Sequence, residues 1–487
     1  MEWDVIRSLP WQLMIPEFIL LGATILLSII DLLTSKRKYK FLFPAITIIA
    51  ILGAIFALFQ LLYEPGGTIL YDTFRLDIIA KLFKLVMLIG AVLICLFTLE
   101  EKDGKHRVQV TGEYYYLLLV ALLGAMMLAS SGDIITLFVS LELLAIPAYI
   151  LVAIRKHQQS ACEAGWKFFV NGGIASAFIL FAFSYLYGMT GSTNLEEIAA
   201  LLTGVLSGET HFIVALSFFM LLVGIGFKIS SVPFHLWTPD VYEGASFPIT
   251  AFLNTISKMA GFVLLARICW TIFVHIPIGG MMSEGFLSYI QPFVVTIACV
   301  SMIIGHIMAL RQLHLKRMLA YSSIAHGGYV LASFAALSPF TFEAMWFYLT
   351  VYTFMTIGVF AILQLLETKE GSVELQTVAG LYERAPVLTV LLSFFILSLA
   401  AIPGTAGFIA KVELFLALFT AEGNLSVVAI VMGLSTVLSL VYYFGVLVQL
   451  YFRKSEQTGA LAISWGSRIA IFICFLAMIW GQSAIAF

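Results

Sequence analysis

Runs of about 20 mostly apolar residues, each long enough to cross a hydrocarbon core roughly 30 Å thick, recur along this chain of 487 residues. They restrict the fold severely. A backbone in lipid must satisfy its own hydrogen bonds, and a helix does so within one segment. The runs are 13–33, 41–63, 78–99, 114–129, 134–154, 164–187, 212–232, 247–274, 290–310, 318–336, 341–366, 386–420, 425–451 and 469–486. Charged residues make up 11% of the chain, against about 25% in soluble proteins. The expected fold class is therefore all-α, a polytopic membrane protein of about 14 transmembrane helices in a single transmembrane domain over 1–487.

Basic residues test that reading, because Lys and Arg accumulate in loops on the cytoplasmic side. Alternate loops hold Lys36, Arg37, Lys38 and Lys40; Lys102, Lys105 and Arg107; Arg155 and Lys156; Arg311, Lys316 and Arg317; Lys369 and Arg384; and Arg453, Lys454 and Arg468. The opposite side holds only Arg7 and Arg75, while Lys81, Lys84, Lys167, Lys228, Lys258, Arg267 and Lys411 fall inside spans. Both termini are thus expected on the non-cytoplasmic side of a cell inner or plasma membrane. The N-terminus lacks the basic region and cleavage site of a signal peptide, so its first apolar run is expected to stay as a span. The longest polar connections, 188–210 and 367–385, leave no room for a soluble domain, though 193–202 reads as an interfacial helix.

A net charge of −2 provides no basic footprint, so nucleic acid is not an expected partner. The scattered Cys95, Cys162, Cys269, Cys299 and Cys474 suggest neither a disulfide framework nor an iron–sulfur or zinc site.

Function must then reside in the membrane, and the charged residues there point to it. Glu142 lies in the fifth run, Lys228 in the seventh, Lys258 in the eighth and Lys411 in the twelfth. Each such charge costs roughly 2.5–3.5 kcal/mol at the bilayer centre on insertion scales and marks a functional site by default. At about 1.5 Å per residue, Glu142 is roughly 12 Å and Lys258 roughly 16 Å from the nearer helix end, close to the midplane. Glu142 and Lys228 can be a packing pair. Three lysines with only Glu142 and Glu413 near mid-depth, however, form an unbalanced set that suits a proton relay, with Glu142 biasing whether Lys228 keeps its proton.

Two interruptions add a clue. Pro233 ends the seventh run near Lys228, and the twelfth carries Pro403 and Gly404 before Lys411. Paired broken segments indicate internal repeats with a site at mid-depth. The fourth to eighth runs and the ninth to thirteenth start on opposite sides, which makes them two inverted five-helix repeats with discontinuous helices 7 and 12. The expected organisation is a three-helix N-terminal segment over 1–110, repeats over 114–274 and 287–452, and a C-terminal helix over 465–487.

His306 and His326 lie in adjacent runs and can exchange protons near neutral pH; packing and bis-histidine haem ligation are the other readings. His235 and His314 read as surface or access-path residues.

The strings LELLAIPAYILVA, GFKISSVPFHLWTPDVYEGA, LKRMLAYSSIAHGGY and GTAGFIAKVELF resemble the antiporter-like membrane subunits of respiratory complex I, over most of the chain. The likeness is closest to the subunit N branch: Lys411 stands where subunit M has glutamate, and the chain lacks the long C-terminal helix of the largest sibling. The resemblance implies a fourteen-helix fold with two inverted repeats and proton pumping driven by quinone reduction elsewhere in the complex. It implies that Glu142 and Lys228 form a switch pair, Lys258 a central relay, His326 a relay histidine and Lys411 the terminal donor, with His306, His235 and Glu413 as accessory candidates. His306 departs from the family, which usually has asparagine there. No cofactor is expected on this chain; NADH, FMN, iron–sulfur clusters and quinone belong to other subunits. Its partners would be lipid and other membrane subunits, antiporter-like siblings included. A subunit of a multi-subunit sodium/proton antiporter and a stand-alone secondary transporter are the alternative functions.

Overall fold

The computed structural model describes residues 9–33, 42–99, 112–204, 208–278, 281–421, 425–454, 461 and 463–483. Arg7, the basic residues at 36–40 and 102–107, and both chain ends lie outside the described residues.

Among the described residues, twelve helices are long and apolar enough to cross a membrane, against the fourteen runs of the sequence. The difference lies in the tenth and twelfth runs. The tenth is a single helix, Leu315–Ala335, but Lys316, Arg317, Ser322, Ser323 and His326 make it more polar. The twelfth is two helices of 14 residues, Pro386–Leu399 and Ala406–Phe419. The expected interfacial piece is a helix over Leu195–Gly204. Two short antiparallel strand pairs, Gly67–Ile69 with Phe74–Leu76 and Pro277–Ile278 with Met281–Gly285, lie between helices.

Local chemistry sets several helix boundaries. Asp77 accepts from the Ala80 amide at 2.8 Å and starts Ile78–Phe97. Asp133 accepts from Ile135 and Thr136 to start Ile134–Val152, satisfying amides that have no partner within the helix.

Both interruptions end their first half-helix in the same way. Ser230 adopts φ 61° and Ala401 φ 55°. At the first break, Ser230 N–H donates to Phe227 O and Ser231 N–H to Gly226 O; at the second, Ala401 N–H donates to Ser398 O and Ile402 N–H to Leu397 O. This is the Schellman pattern, in which a left-handed residue turns the chain and lets its amides satisfy the last carbonyls. Several further polar groups at the breaks also find partners. Val232 N–H donates to Ser301 Oγ at 2.9 Å, Trp237 Nε1 to Phe227 O at 3.3 Å, and Gly407 N–H to Ser398 Oγ at 3.0 Å. Broken backbone at membrane depth is tolerated when it is satisfied inside protein.

Three helical stretches, Phe247–Thr271, Leu315–Ala335 and Thr341–Glu370, form the buried centre. The half-helix ending at Ile229 packs closely there because two facing residues are glycines. A Cβ on Gly261 would stand 2.9 Å from Ile229 Cγ2 and 3.2 Å from Lys228 Cγ; one on Gly327 would stand 3.2 Å from Ile229 O.

The N-terminal helices dock through buried charge. Lys84 Nζ meets Glu17 Oε1 at 2.5 Å, with the side chains 0% and 3% exposed, and lies 4.6 Å from the Phe74 ring centroid. Arg267 forks onto both oxygens of Asp77 and donates to the Ala129 carbonyl. It thereby ties the eighth run to the third and to the end of the fourth. Burial works to raise the Asp77 carboxyl, but the Arg267 hydrogen bonds and charge outweigh it and hold the group below the usual range.

Breaking a buried pair leaves an uncompensated charge, which costs about 3–5 kcal/mol, whereas replacing both partners with apolar residues is close to neutral. Lys84→Met should therefore lower the thermal unfolding midpoint in detergent strongly, and Glu17→Leu combined with Lys84→Met should recover most of the loss. Equal midpoints for the single and double variants would contradict a paired charge.

Candidate functional site

Lys258 opens the helix Lys258–Thr271 directly after a π-helical turn, Leu253–Ser257. Its ammonium donates to Ser323 O at 2.7 Å and Ser323 Oγ at 3.0 Å. Asn254 in that turn accepts from Tyr242 OH at 3.2 Å and Tyr352 OH at 2.9 Å. Since π turns distort a helix and recur at functional sites, the placement of Lys258 beside one is a local signal in itself.

From Tyr352 the polar band continues into the second half of the chain. The Tyr352 and His326 rings are 5.1 Å apart between centroids. His326 Nδ1 meets Tyr348 OH at 2.5 Å, and Nε2 meets Tyr443 OH at 3.4 Å; Tyr443 in turn shares a 2.5 Å hydrogen bond with Ser322. His306 bridges Tyr442 OH at 3.0 Å and Tyr329 OH at 2.6 Å. Lys411 Nζ stands 4.2 Å from the Tyr329 ring centroid, a cation–π position, and donates to Thr436 at 3.2 Å. The two lysines, both histidines and the tyrosines are all buried.

A tyrosine hydroxyl donates and accepts, and a neutral imidazole does both through its two nitrogens. Alternating them gives a path along which a proton can be handed from group to group. Both nitrogens of His306 and of His326 are engaged by tyrosine hydroxyls, a donor set suited to proton exchange rather than to haem iron. Among the described residues, no group of three or more His, Cys, Asp and Glu could hold a metal ion.

Not every expected residue joins this band. Lys228 is buried with its stem against Gly261, one turn from Lys258. Glu142 lies near enough to act on it electrostatically, but among the described residues no ion pair closes between them within 4 Å, and Glu142 Oε1 is buried without a hydrogen-bond partner. The reason is helical phase: half-buried Glu142 shares its stripe with the exposed Ile135, Val139, Ile146 and Ile150, an outward face. For His235 the surface reading is corrected, since it is buried within the first break with Nδ1 unpartnered, while the access-path reading stands as an expectation. His314 is half-buried. Glu413 is half-buried and stands near Glu343, apart from the Lys411 contacts.

The sequence reading missed Tyr242, Asn254, Ser323, Tyr329, Tyr348, Tyr352, Tyr442 and Tyr443. Spacing offered a signal: Tyr329 follows His326 by one turn, and Tyr348 and Tyr352 share a face.

Residues 131–439 match the family described as NADH:quinone oxidoreductase/Mrp antiporter, TM. The NADH-quinone oxidoreductase subunit N of Anoxybacillus flavithermus (strain DSM 21510 / WK1) is 46% identical over 479 residues, covering 98% of this chain and 95% of that protein. The subunit N of Bacillus anthracis is also 46% identical, over 98% and 94%. Among solved structures, a chain of respiratory complex I from Thermus thermophilus with bound Aureothin superimposes with a TM-score of 0.79 at 28% identity, covering 96% and 97%. A chain of the Mrp complex from Dietzia sp. DQ12-45-1b gives 0.83 at 18% identity over 98% and 95%, which is a likeness of fold.

Tyr329→Phe keeps the ring beneath Lys411 but removes the hydroxyl shared by His306 and Ser435. Leaving such buried groups unsatisfied costs about 1–3 kcal/mol, so the variant should unfold at lower temperature in detergent. An unchanged midpoint would remove Tyr329 from the hydrogen-bonded band.

Proposed function

This chain belongs to the NADH:quinone oxidoreductase/Mrp antiporter membrane family, and on that premise we propose that it translocates protons as the subunit N of an NADH-quinone oxidoreductase. The chain is a multi-pass membrane protein, and other membrane subunits are its partners. The redox steps of NADH, FMN, iron–sulfur clusters and quinone are assigned to other subunits. Here the chain's own residues hold and move protons.

The observation that carries the reading is the run of buried groups from Lys258 through His326 and Tyr329 to Lys411. Lys228, biased by Glu142, loads Lys258. His326 and its tyrosines then pass the proton toward His306 and Lys411. The Glu142 charge favours the ammonium form of Lys228 through space, and weakening that influence frees the proton for the next site. A buried carboxylate oxygen without a protein partner supports a water at that point, because such groups are ordinarily satisfied by one.

The repeats over 114–274 and 287–452 belong to the same proposal. The matching Schellman terminations at Ser230 and Ala401 support them, and so does the presence of a buried lysine beside each interruption. Both termini are assigned to the non-cytoplasmic side, which the alternating basic loops support.

Two rival functions differ in what they require. A sodium/proton antiporter subunit would show sodium-dependent transport without NADH or quinone, and a stand-alone transporter would be active as a purified monomer. In membrane vesicles of the assembled complex, Lys228→Ala and Lys411→Ala should lose proton translocation linked to quinone reduction, while Lys228→Arg keeps part of it. Full translocation in both alanine variants would refute the proposal, as would a sodium requirement with none for quinone.

A further inference from the structure

The short helix Trp237–Gly244, which follows the first interruption, is held by cations from three directions. Lys167 reaches Asp240 Oδ2 at 2.5 Å, and Arg317 reaches Asp240 Oδ1 at 2.8 Å and Glu243 at 2.7 Å. Lys167 also pairs with Glu163 at 2.7 Å. At the end of the helix, Arg155 donates to Gly244 O at 3.0 Å and Lys316 to Ala245 O at 3.2 Å. Cations at a helix C-terminus complement its dipole and satisfy its last carbonyls.

A single exposed ion pair contributes little, but this carboxylate is shared between two helices, and the half-helix it fixes carries Tyr242. That residue is one of the two hydroxyls on Asn254, and its carbonyl accepts from Thr250 at 3.2 Å. Asn254 sits in the π turn immediately before Lys258. An unbroken sequence of contacts therefore runs from the Asp240 carboxylate at the end of the bundle to the base of the relay lysine.

We propose that Asp240 is a positioning residue of the relay: its ion pairs to Lys167 and Arg317 hold the Trp237–Gly244 half-helix so that Tyr242 fastens Asn254 and aims Lys258 at Ser323. The inference rests on the proton-relay reading and adds a residue that the relay itself does not contain. Burial works to raise the Asp240 carboxyl, but the hydrogen bonds from Lys167 and Arg317 outweigh it and hold the group below the usual carboxylate range. The clamp is therefore charged at neutral pH. The titratable groups that report on Lys258 are Lys228 from the preceding half-helix, His326 from the helix packed across it, and Tyr242 and Tyr352 at Asn254.

The test uses the assembled complex in membrane vesicles and reads the pH profile of quinone-linked proton translocation together with the amount of complex. Tyr242→Phe keeps the ring and removes only one of the two hydroxyl bonds to Asn254, leaving that of Tyr352. Asp240→Asn and Tyr242→Phe should each lower translocation severalfold and displace its pH profile in the same direction. Asp240→Glu should restore the profile, and the double variant should be no worse than the larger single effect, because one line of contacts is cut twice. The inference is overturned if Asp240→Asn lowers only the amount of complex with the profile unmoved, or if the two effects add. Lys258→Ala separates the two levels. If it abolishes translocation while Asp240→Asn and Tyr242→Phe leave the profile in place, the positioning role alone fails. If Lys258→Ala translocates normally, the relay reading fails and the inference goes with it.

Discussion

An ammonium group removed from water has to be given partners, and the interior of this protein is arranged to meet that need. Lys258 has the hydroxyl and carbonyl of Ser323, and Lys411 has a tyrosine face and Thr436. Among the described residues, neither pairs with a carboxylate within 4 Å. Neutral partners stabilise the charge without a fixed counter-ion, which is what the proposed relay requires. The surrounding polar residues, the π turn and the glycines that admit the half-helix are all consistent with that demand.

The same chain also contains the opposite solution. In the N-terminal part, Glu17 faces Lys84 and Asp77 faces Arg267, so each of these two cations has an anion. Removing one partner of such a buried pair leaves an uncompensated charge, so the pair is held together. The two arrangements sit on one stretch of backbone, Phe247–Thr271, where Lys258 belongs to the unbalanced band and Arg267 to the balanced lock. In the proposed relay, rigidity at one end of that stretch would serve the lysine near its middle, which must keep its place while its charge changes.

Much of this was legible before any coordinates. The apolar runs mark the helices because a membrane imposes their length, and Pro233, Pro403 and Gly404 mark the interruptions because proline lacks the amide a helix interior needs and glycine disfavours the helix. The lysines are visible because charge is rare there. The tyrosines were not, since an aromatic residue with a hydroxyl is unremarked in an apolar run until its neighbours are known. Glu142 shows the converse: its depth was readable, but its outward phase and the missing direct pair with Lys228 depend on how whole helices rotate against each other. The charge lock joins residues 67 and 190 positions apart, a separation that local pattern cannot reveal. Two runs were also harder to count as spans than they looked, one because it is polar and one because it is split.

The central claim is that titratable groups in the band carry protons, rather than merely holding the helices together with hydrogen bonds. His326 decides between these, because glutamine at that position can still hydrogen-bond to Tyr348 and Tyr443 but cannot take up a proton as imidazole does. The most direct measurement is the number of protons translocated per electron pair by the assembled complex carrying His326→Gln. A relay predicts that the complex assembles and that this number falls clearly below that of the parent. An unchanged number would mean that the band is structural and that protons cross elsewhere.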